Sequence, residues 1–307
     1  MEEIIVGLPK GLLYYKYKDL WINFFNELGI TTIISDDTNK TILENGINKA
    51  VDETCLSLKI FLGHVDNLKN KVNYVLIPRI VSLKKKEKLC TNFSALYDIV
   101  NNIFNINILY YNVDVDKDID EKKAFIDLGK QLGISRQKSI GAYKKAKMKQ
   151  KEIFDQKLIK QNNILSDSNL KILLVGHPYN LYDEFIGMPV IRYLEDNDIV
   201  PIYSDIYDKF RMDYECSLIS STIYWTYNKE LLGAISHFKN NVDGIIIIST
   251  FPCGPDSLVN EMITRKIKDI PIISIIVDEL NNDAGLVTRL ESFIDVIKDK
   301  KGCPING

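Results

Sequence analysis

Short apolar runs rich in Ile, Leu and Val recur along the chain, and Gly, Pro or Ser bounds most of them. The runs are continuous rather than alternating, which is typical of strands buried on both faces of a parallel sheet. Four lie in the first part of the chain, at residues 4–7, 31–35, 74–78 and 106–110, and four in the last part, at residues 170–176, 199–204, 244–250 and 270–277. The pattern predicts two sets of four parallel strands.

Segments with helical spacing separate these runs. Leu20, Phe24 and Leu28 share one helical face, and Gly29 follows where a helix would end. The other predicted helices cover residues 56–68, 186–195, 229–238, 258–267 and 284–297. Strands that alternate with helices predict an α/β fold of two Rossmann-like, doubly wound lobes. The predicted N-terminal lobe covers residues 1–115, a polar, Lys-rich helical connector covers 116–166, and the C-terminal lobe covers 167–307.

Composition and charge exclude several classes of protein. The chain has 307 residues, 46% of them hydrophobic, and a net charge of −2, so it can bury a substantial core and has no broad basic surface for nucleic acid. Lys84, Lys85 and Lys86 are best interpreted as a solvated surface. We find no secretory signal and no apolar segment of about 18 residues, so we expect no membrane association and a cytoplasmic location. In that reducing compartment the five cysteines are expected to be buried thiols or metal ligands.

Three cysteines fall near predicted strand or helix ends, where ligands collect in open α/β sheets. Cys253 directly follows the run at 244–250, with Gly254 suited to a tight turn and Pro255 to the start of a helix. Cys55 opens the predicted helix at 56–68, and Cys90 follows the third predicted strand by 12 residues, counted from Pro78. A thiolate at a helix N-terminus is stabilised by the helix dipole and suited to metal ligation.

Each cysteine alone has a simpler interpretation as a small buried apolar residue. We give that interpretation to Cys216 and Cys303. The spacings between Cys55, Cys90 and Cys253 match no compact zinc or ferredoxin pattern. Spacing alone therefore leaves the metal site open.

An ordered set of short motifs extends over nearly the whole chain. In the first part these are Gly7-Leu8-Pro9-Lys10 with Leu13-Tyr14-Tyr15, Trp21, Phe24-Phe25, Leu28-Gly29, Ser35 to Thr38, Asp52-Glu53-Thr54-Cys55, Lys59, Gly63-His64-Val65, Pro78-Arg79-Ile80-Val81-Ser82 and Cys90. In the last part they are Gly176-His177-Pro178-Tyr179-Asn180, Trp225, Glu230-Leu231-Leu232-Gly233-Ala234, Asp243-Gly244, Phe251 to Ser257, and Gly285 to Glu291. With these motifs the chain resembles the acyl-CoA dehydratase activase-related proteins, the DUF2229 group. That group is related to the small subunits of 2-hydroxyacyl-CoA dehydratases and benzoyl-CoA reductases and to the double-cubane cluster proteins.

The resemblance implies two Rossmann-like lobes with an oxygen-sensitive 4Fe-4S cluster, or a larger iron-sulfur cluster, in the cleft between them. It assigns ligation to Cys55, Cys90 and Cys253, with Gly254 beside the cofactor. It also implies low-potential electron transfer, fed by an ATP-dependent activase as the electron donor. The chain has no Gly-x-x-x-x-Gly-Lys-Ser/Thr phosphate loop of its own, so any use of ATP would belong to that partner.

The sequence departs from the group at three places. The Pro expected near the first cysteine is missing from Cys55-Leu56-Ser57-Leu58-Lys59, and Thr91-Asn92 follows Cys90 in place of Pro-Lys. Asp278-Glu279-Leu280-Asn281 replaces an acidic motif followed by His-Thr. The thiols are retained, whereas a proton-transfer role near residue 280 loses support.

Three functional hypotheses remain at this stage. In the first, three thiolates leave one iron open for a small-molecule or acyl-CoA ligand and for reductive chemistry. The candidate catalytic residues, for proton handling or for hydrogen bonds that support the ligands, are Glu53, His177, Tyr179 and Asp278. His64 is a further candidate for these roles, and each of the five would also serve in capping or in hydrogen bonds at the sheet edge. The second hypothesis is a non-catalytic cluster protein that relays electrons or assists maturation of a partner. The third is a zinc site of three cysteines and either His64 or His177. A homodimer and a heterodimer are both compatible with the sequence.

Overall fold

The computed structural model describes residues 4–280 and 283–302. The chain divides into two compact units. The first extends to Gln156 and also includes Tyr224–Thr226, whereas the second comprises Lys157–Ile223 and the chain from Tyr227 onward. Cys303 lies outside the described residues, so the interpretation given to it stays a prediction.

The first unit contains one parallel sheet flanked by helices. Its elements in chain order are β1 Ile5–Leu8, α1 Tyr14–Glu27, β2 Thr31–Ile34, α2 Lys40–Lys49, α3 Leu56–Leu68, β3 Tyr74–Ser82, α4 Thr91–Ile103, β4 Ile108–Asp114, α5 Glu121–Gln131 and α6 Arg136–Leu165. The strand order is β2-β1-β3-β4, and all neighbours are parallel. The boundary between the two units falls inside α6.

The second unit repeats this topology. Its elements are β5 Lys171–Val175, α7 Pro178–Leu181, α8 Met188–Asp196, β6 Val200–Tyr203, α9 Met212–Ser217, α10 Thr226–Phe238, β7 Gly244–Thr250, α11 Gly254–Lys266, β8 Ile272–Val277 and α12 Asp283–Lys301. The strand order is β6-β5-β7-β8, again parallel throughout. Two matched four-stranded parallel sheets flanked by helices confirm the predicted fold class.

Burial explains why the central strands have continuous apolar sequences. Every residue of β5 and β7 is buried, because helices cover both faces of the sheet at its centre. The outer strands β2 and β8 are partly exposed, and Ile276 of β8 is 50% exposed. No helix in the described parts of the chain has the length and apolar character needed to cross a bilayer.

Strand β3 is longer than the sequence predicts. Pro78 was expected to end it, but β3 continues to Ser82 while β4 extends to Asp114 beside it. Beyond Val75 no further pairing with β1 occurs. Proline is tolerated where a strand has a neighbour on one side only, so Pro78 lies within β3 without ending it.

The end of α1 agrees with the sequence. Gly29 has a φ of 70°, and its N–H donates to Asn26 O at 3.0 Å, while Ile30 N–H donates to Phe25 O at 3.0 Å. These two bonds form a Schellman motif, in which glycine adopts the left-handed conformation without strain.

The predicted connector forms α5 and the long helix α6. Phe125 and Leu128 of α5 are fully buried. The Phe125 ring lies 4.6 Å from that of Phe24 and 5.2 Å from that of Tyr111, measured between centroids. Helix α5 therefore packs into the core of the first unit.

Two glycines let α2 and α3 approach each other closely. A Cβ atom at Gly46 would lie 1.9 Å from Lys59 O, and one at Gly63 would lie 1.9 Å from Ile42 O. Both obstacles are backbone atoms, which cannot move away as a flexible side chain can. The two helices consequently pack with their backbones in contact, and this contact fixes α3.

We predict that Gly46→Ala and Gly63→Ala each lower the free energy of unfolding by about 2–3 kcal/mol or more, because overpacking displaces a helix backbone. Gly141→Ala is the matched control, since it lies in α6 and its added Cβ would have no neighbour within 4 Å. That substitution should be neutral or stabilising by about 0.5–1 kcal/mol. Urea denaturation measures all three, and equal effects at Gly46 and Gly141 would contradict the packing.

Candidate functional site

Cys55, Cys90 and Cys253 each occupy the residue immediately before a helix. Their carbonyl oxygens accept the first helical N–H bonds, for example from Lys59 N to Cys55 O at 3.1 Å. All three side chains are half-buried and none forms a disulfide. The predicted helix starts at Cys55 and Cys253 are therefore confirmed, and Cys90 shares the same local geometry.

All three thiols lie at the N-terminus of a helix, although the Cys253 thiol also donates to the Asp256 carboxylate. The first turn of an α-helix has N–H groups without helical partners and forms the positive end of the helix dipole. That end favours a thiolate over a thiol, and thiolates are the form in which cysteines bind metals. The arrangement suits metal ligation at each sulfur separately.

The first unit brings the start of α4 to Cys55. Asn92 Nδ2, in the first turn of the helix that Cys90 begins, lies 3.6 Å from Cys55 Sγ. An amide N–H that donates to sulfur is a contact typical of the surroundings of thiolate ligands. Cys55 and the helix start at Cys90 thus belong to one local cluster.

In the second unit Cys253 lies three residues beyond the end of β7. Pro255 occupies the first turn of α11, as the sequence predicts. Gly254 is exposed, its φ is not in the left-handed region, and a Cβ added to it would have no neighbour within 4 Å. No tight turn requires glycine here, so the structural reason predicted for Gly254 is wrong, and the space above its backbone is open.

A buried polar network adjoins Cys253. Asp256 Oδ1 accepts a hydrogen bond from His177 Nε2 at 2.9 Å and another from Asn228 Nδ2 at 2.9 Å. All three residues are buried. The Tyr179 ring stacks on His177 at a centroid distance of 5.0 Å and an angle of 22°. His177 and Tyr179 are therefore neighbours, as their places in the sequence suggested.

Asp256 is held as a carboxylate. Burial raises its pKa, but the charge and hydrogen bond of His177, with hydrogen bonds from Asn228 and from the Cys253 thiol, outweigh burial, and the pKa lies below its ordinary value. Asp256 thereby links the Cys253 side chain to His177 and to the first turn of α10. Such a network orients the side chain it contacts.

His64 has a structural role instead of the proposed proton-handling or ligand role. Its ring is fully buried, Nδ1 lies 2.9 Å from Ser35 Oγ, and Nε2 lies 3.0 Å from Thr38 Oγ1. Both ring nitrogens are engaged, so neither is available to a metal ion. His64 joins α3 to the loop after β2, which places α3 at the carboxyl edge of the sheet.

The other two candidates lie at exposed or half-exposed positions. Glu53 is exposed in the turn that precedes Cys55. Asp278 follows β8 directly and is half-buried, and its Oδ1 accepts the N–H of Leu280 at 2.8 Å. That bond is a local turn interaction of the kind aspartate commonly makes. Asn281, the last residue of the altered acidic motif, lies outside the described residues.

No group of three or more His, Cys, Asp or Glu side chains within residues 4–280 and 283–302 is arranged to hold a single metal ion. With both nitrogens of His64 engaged, the zinc hypothesis loses one of its two candidate histidines. Cluster ligands lie farther apart than those of one ion, since each sulfur binds a different iron.

Sequence reasoning assigned no role to Asn92, Asn228 or Asp256. Asp256 follows Cys253 by three residues in the first turn of α11, where an acidic residue is favoured by the helix dipole. That signal could have been noticed. The contacts of Asn92 and Asn228 join residues 37 and 28 positions apart, and no sequence pattern indicates them.

The fold and these residues define a class of two-unit α/β proteins with cysteines at helix starts. The family model of the CoA enzyme activase uncharacterised domain (DUF2229) matches residues 5–206. The chain therefore belongs to the DUF2229 family, which confirms the resemblance. The match includes Cys55, Cys90 and His177, whereas Cys253 and Asp256 lie beyond it.

No curated protein sequence is significantly similar to the chain. Among solved structures, the SBP FpvC from Pseudomonas aeruginosa in complex with Mn2+ is 9% identical, with 97% of this chain and 100% of that chain covered and a TM-score of 0.28. The complex of the same protein with Ni2+ gives 9% identity, 99% and 100% coverage, and a TM-score of 0.28. A mutant of FpvC gives 8% identity, 96% and 100% coverage, and the same TM-score of 0.28.

The buried His64 predicts a pH dependence of stability. Burial and the nearby charge of Lys10 lower the pKa of His64 from 6.5 to about 3, against smaller opposing effects of Asp37 and Asp36. Between these values the unfolded chain binds a proton that the folded protein does not. The free energy of unfolding should therefore fall as the pH drops from about 6.5, by at most about 1.4 kcal/mol per pH unit from this group.

His64→Gln removes this contribution. The wild type should be the more stable protein at pH 7, and its advantage should shrink between pH 6.5 and 4 while staying constant above pH 7. Urea denaturation at a series of pH values measures the difference, in which the titration of other groups cancels. A difference in free energy of unfolding between wild type and variant that is independent of pH from 4 to 8 would show that His64 is not buried in its neutral form.

Proposed function

We propose that this protein binds a 4Fe-4S cluster through Cys55, Cys90 and Cys253, and that it transfers electrons at low potential or supports reductive chemistry at the cluster. The observation that carries the proposal is the shared position of the three half-buried thiols, each at the N-terminus of a helix. When bound, such a cluster supplies one-electron chemistry, and three cysteine ligands leave one iron without a protein thiolate.

The residues around the thiols fit a bound group. Asn92 places an amide N–H against Cys55 Sγ at 3.6 Å, and amide hydrogen bonds to ligand sulfurs tune cluster potentials. The open space above Gly254 leaves the backbone next to Cys253 approachable. Soft thiolate donors without an adjacent carboxylate cluster favour iron-sulfur or zinc over Mg2+ or Ca2+.

His177, Asp256 and Asn228 serve as the supporting network in this proposal. Asp256 accepts from both neighbours at 2.9 Å and also contacts the Cys253 thiol, so it holds the start of α11 in place. His177 bonds to Asp256, and the Tyr179 ring stacks on His177, so both side chains adjoin this network. A role for Glu53 or Asp278 rests on their sequence positions alone.

The family supports a partner of activase type. A domain described as belonging to CoA enzyme activases is expected to act together with another enzyme. The chain lacks a phosphate-binding loop with the Walker pattern, so we assign ATP hydrolysis and electron supply to a separate activase. An acyl-CoA thioester or a smaller molecule would then be the ligand of the open iron.

A non-catalytic electron relay or maturation factor is the alternative within the same chemistry. Exposure of Glu53 and the local turn bond of Asp278 favour it, since two of the four residues predicted to be catalytic have no buried catalytic setting. Turnover of acyl-CoA thioesters by the reduced protein would exclude this alternative.

Anaerobic purification tests the cluster. The protein should be brown, with broad absorption at about 400 nm. It should contain about four iron atoms per chain, or per pair of chains that share one cluster. Cys55→Ala, Cys90→Ala and Cys253→Ala should each lose most of the iron and the colour. Cys216→Ala is the matched control, because Cys216 is buried in the core of the second unit and should leave the iron content unchanged.

Two outcomes would contradict the proposal. A colourless protein that binds zinc with full occupancy would exclude the cluster. Iron retained by Cys253→Ala at the wild-type level would remove Cys253 from the ligand set.

A further inference from the structure

A three-residue segment from the second half of the chain belongs to the first unit. Tyr224–Thr226 is the only stretch beyond Gln156, among the described residues, that clusters with the first unit. We call this segment the strap. It lies directly against the loop of residues 83–89, which connects β3 to Cys90.

Backbone hydrogen bonds join the strap to this loop. Lys88 N–H donates to Tyr224 O at 3.0 Å, and Thr226 N–H donates to Lys88 O at 3.0 Å. The pair forms a parallel bridge between Lys88 and Trp225. The strap therefore fixes the backbone two residues before Cys90.

A buried side-chain bond strengthens the same contact. Thr226 Oγ1 donates to Glu87 Oε2 at 2.9 Å, and Thr226 and Glu87 are 4% and 8% exposed. A hydrogen bond to a buried carboxylate is among the stronger ones in proteins.

The loop needs these hydrogen bonds because its own backbone conformation is energetically unfavourable. Lys86 has a φ of 67°, in the left-handed region that residues other than glycine adopt at a cost. Asp116 holds one side of the loop, through Lys86 N–H at 3.3 Å and an ion pair with Lys88. The strap holds the residues that lead into Cys90.

We propose that Thr226 and Glu87 are positioning residues for Cys90: the strap holds the loop so that the Cys90 thiol stays at the start of α4. The proposal rests on the proposed function, because holding Cys90 in place matters for function only if Cys90 binds the cluster. The positioning itself is a property of the metal-free protein. It can therefore be tested whether or not a cluster binds.

The test is the rate at which iodoacetamide alkylates Cys90 in the reduced, metal-free, full-length protein, followed by mass spectrometry of its peptides. Thr226→Val keeps the shape of the side chain and removes the donor to Glu87, so it should raise the rate at Cys90 about tenfold. Thr226→Ser keeps the hydroxyl and should stay within about twofold of the wild type. The rate at Cys55, which contacts the start of α4 through Asn92, should rise by less than the rate at Cys90.

Thr222→Val is the matched control. It removes a hydroxyl four residues before Thr226, outside the strap, and that hydroxyl bonds to Ser220 Oγ at 3.2 Å. Its Cys90 rate should equal that of the wild type. A Cys90 rate in Thr226→Val within about twofold of the wild type would overturn the proposal, and so would equal increases at Cys55 and Cys90, which would indicate general loosening.

Hydrogen exchange of the wild type keeps the proposal testable if Thr226→Val does not fold. The amides of Lys88 and Thr226 should exchange slowly and together, because each closes the bridge. Exchange at Lys88 as fast as at the exposed residues Lys84 and Lys85 would overturn the proposal. Absence of iron from the wild type would instead contradict the proposed function and leave both measurements unaffected.

Discussion

Parallel strand pairing is the constraint on which the rest of this structure depends. A parallel neighbour can be reached only through a crossover connection, so the helix after each strand begins at the carboxyl edge of the sheet. Helix starts expose N–H groups without partners and the positive end of a dipole. In this protein a cysteine directly precedes α4 and α11, each of which follows a strand. A cysteine also precedes α3, which contacts the loop after β2 through His64.

A different set of contacts holds each of these helix starts in place. The backbones of α2 and α3 meet at Gly46 and Gly63, and His64 ties α3 to the loop after β2. The strap fixes the loop before Cys90. Asp256 fixes the start of α11 by accepting from His177 and Asn228. These contacts hold the three helix starts in place, and Asp256 also accepts a hydrogen bond from the Cys253 thiol.

Two residues in the first turn of α10 donate side-chain hydrogen bonds to acidic residues. Thr226 donates to Glu87 in the loop before Cys90, and two residues later Asn228 donates to Asp256 in the helix that Cys253 begins. Tyr227, between them, places its ring 6.3 Å from that of His177. Within the second unit, Tyr227 and Asn228 thus contribute to the surroundings of His177 and Asp256.

The sequence by itself determined the two sets of strands, the helix that begins after Cys55, and the end of α1 at Gly29, because burial on both faces and glycine's conformational freedom act locally. The same local grounds placed Cys55 and Cys253 near helix starts, whereas the choice of three thiols as ligands came from the family resemblance and stays a proposal. Tertiary structure alone decided the continuation of β3 through Pro78, the open space at Gly254, and the use of both nitrogens of His64 by Ser35 and Thr38. It also decided the contacts of Asn92, Asn228 and the strap. These depend on which distant segments meet, since a hydrogen bond between residues 139 positions apart, such as Thr226 to Glu87, has no periodic signature in the chain.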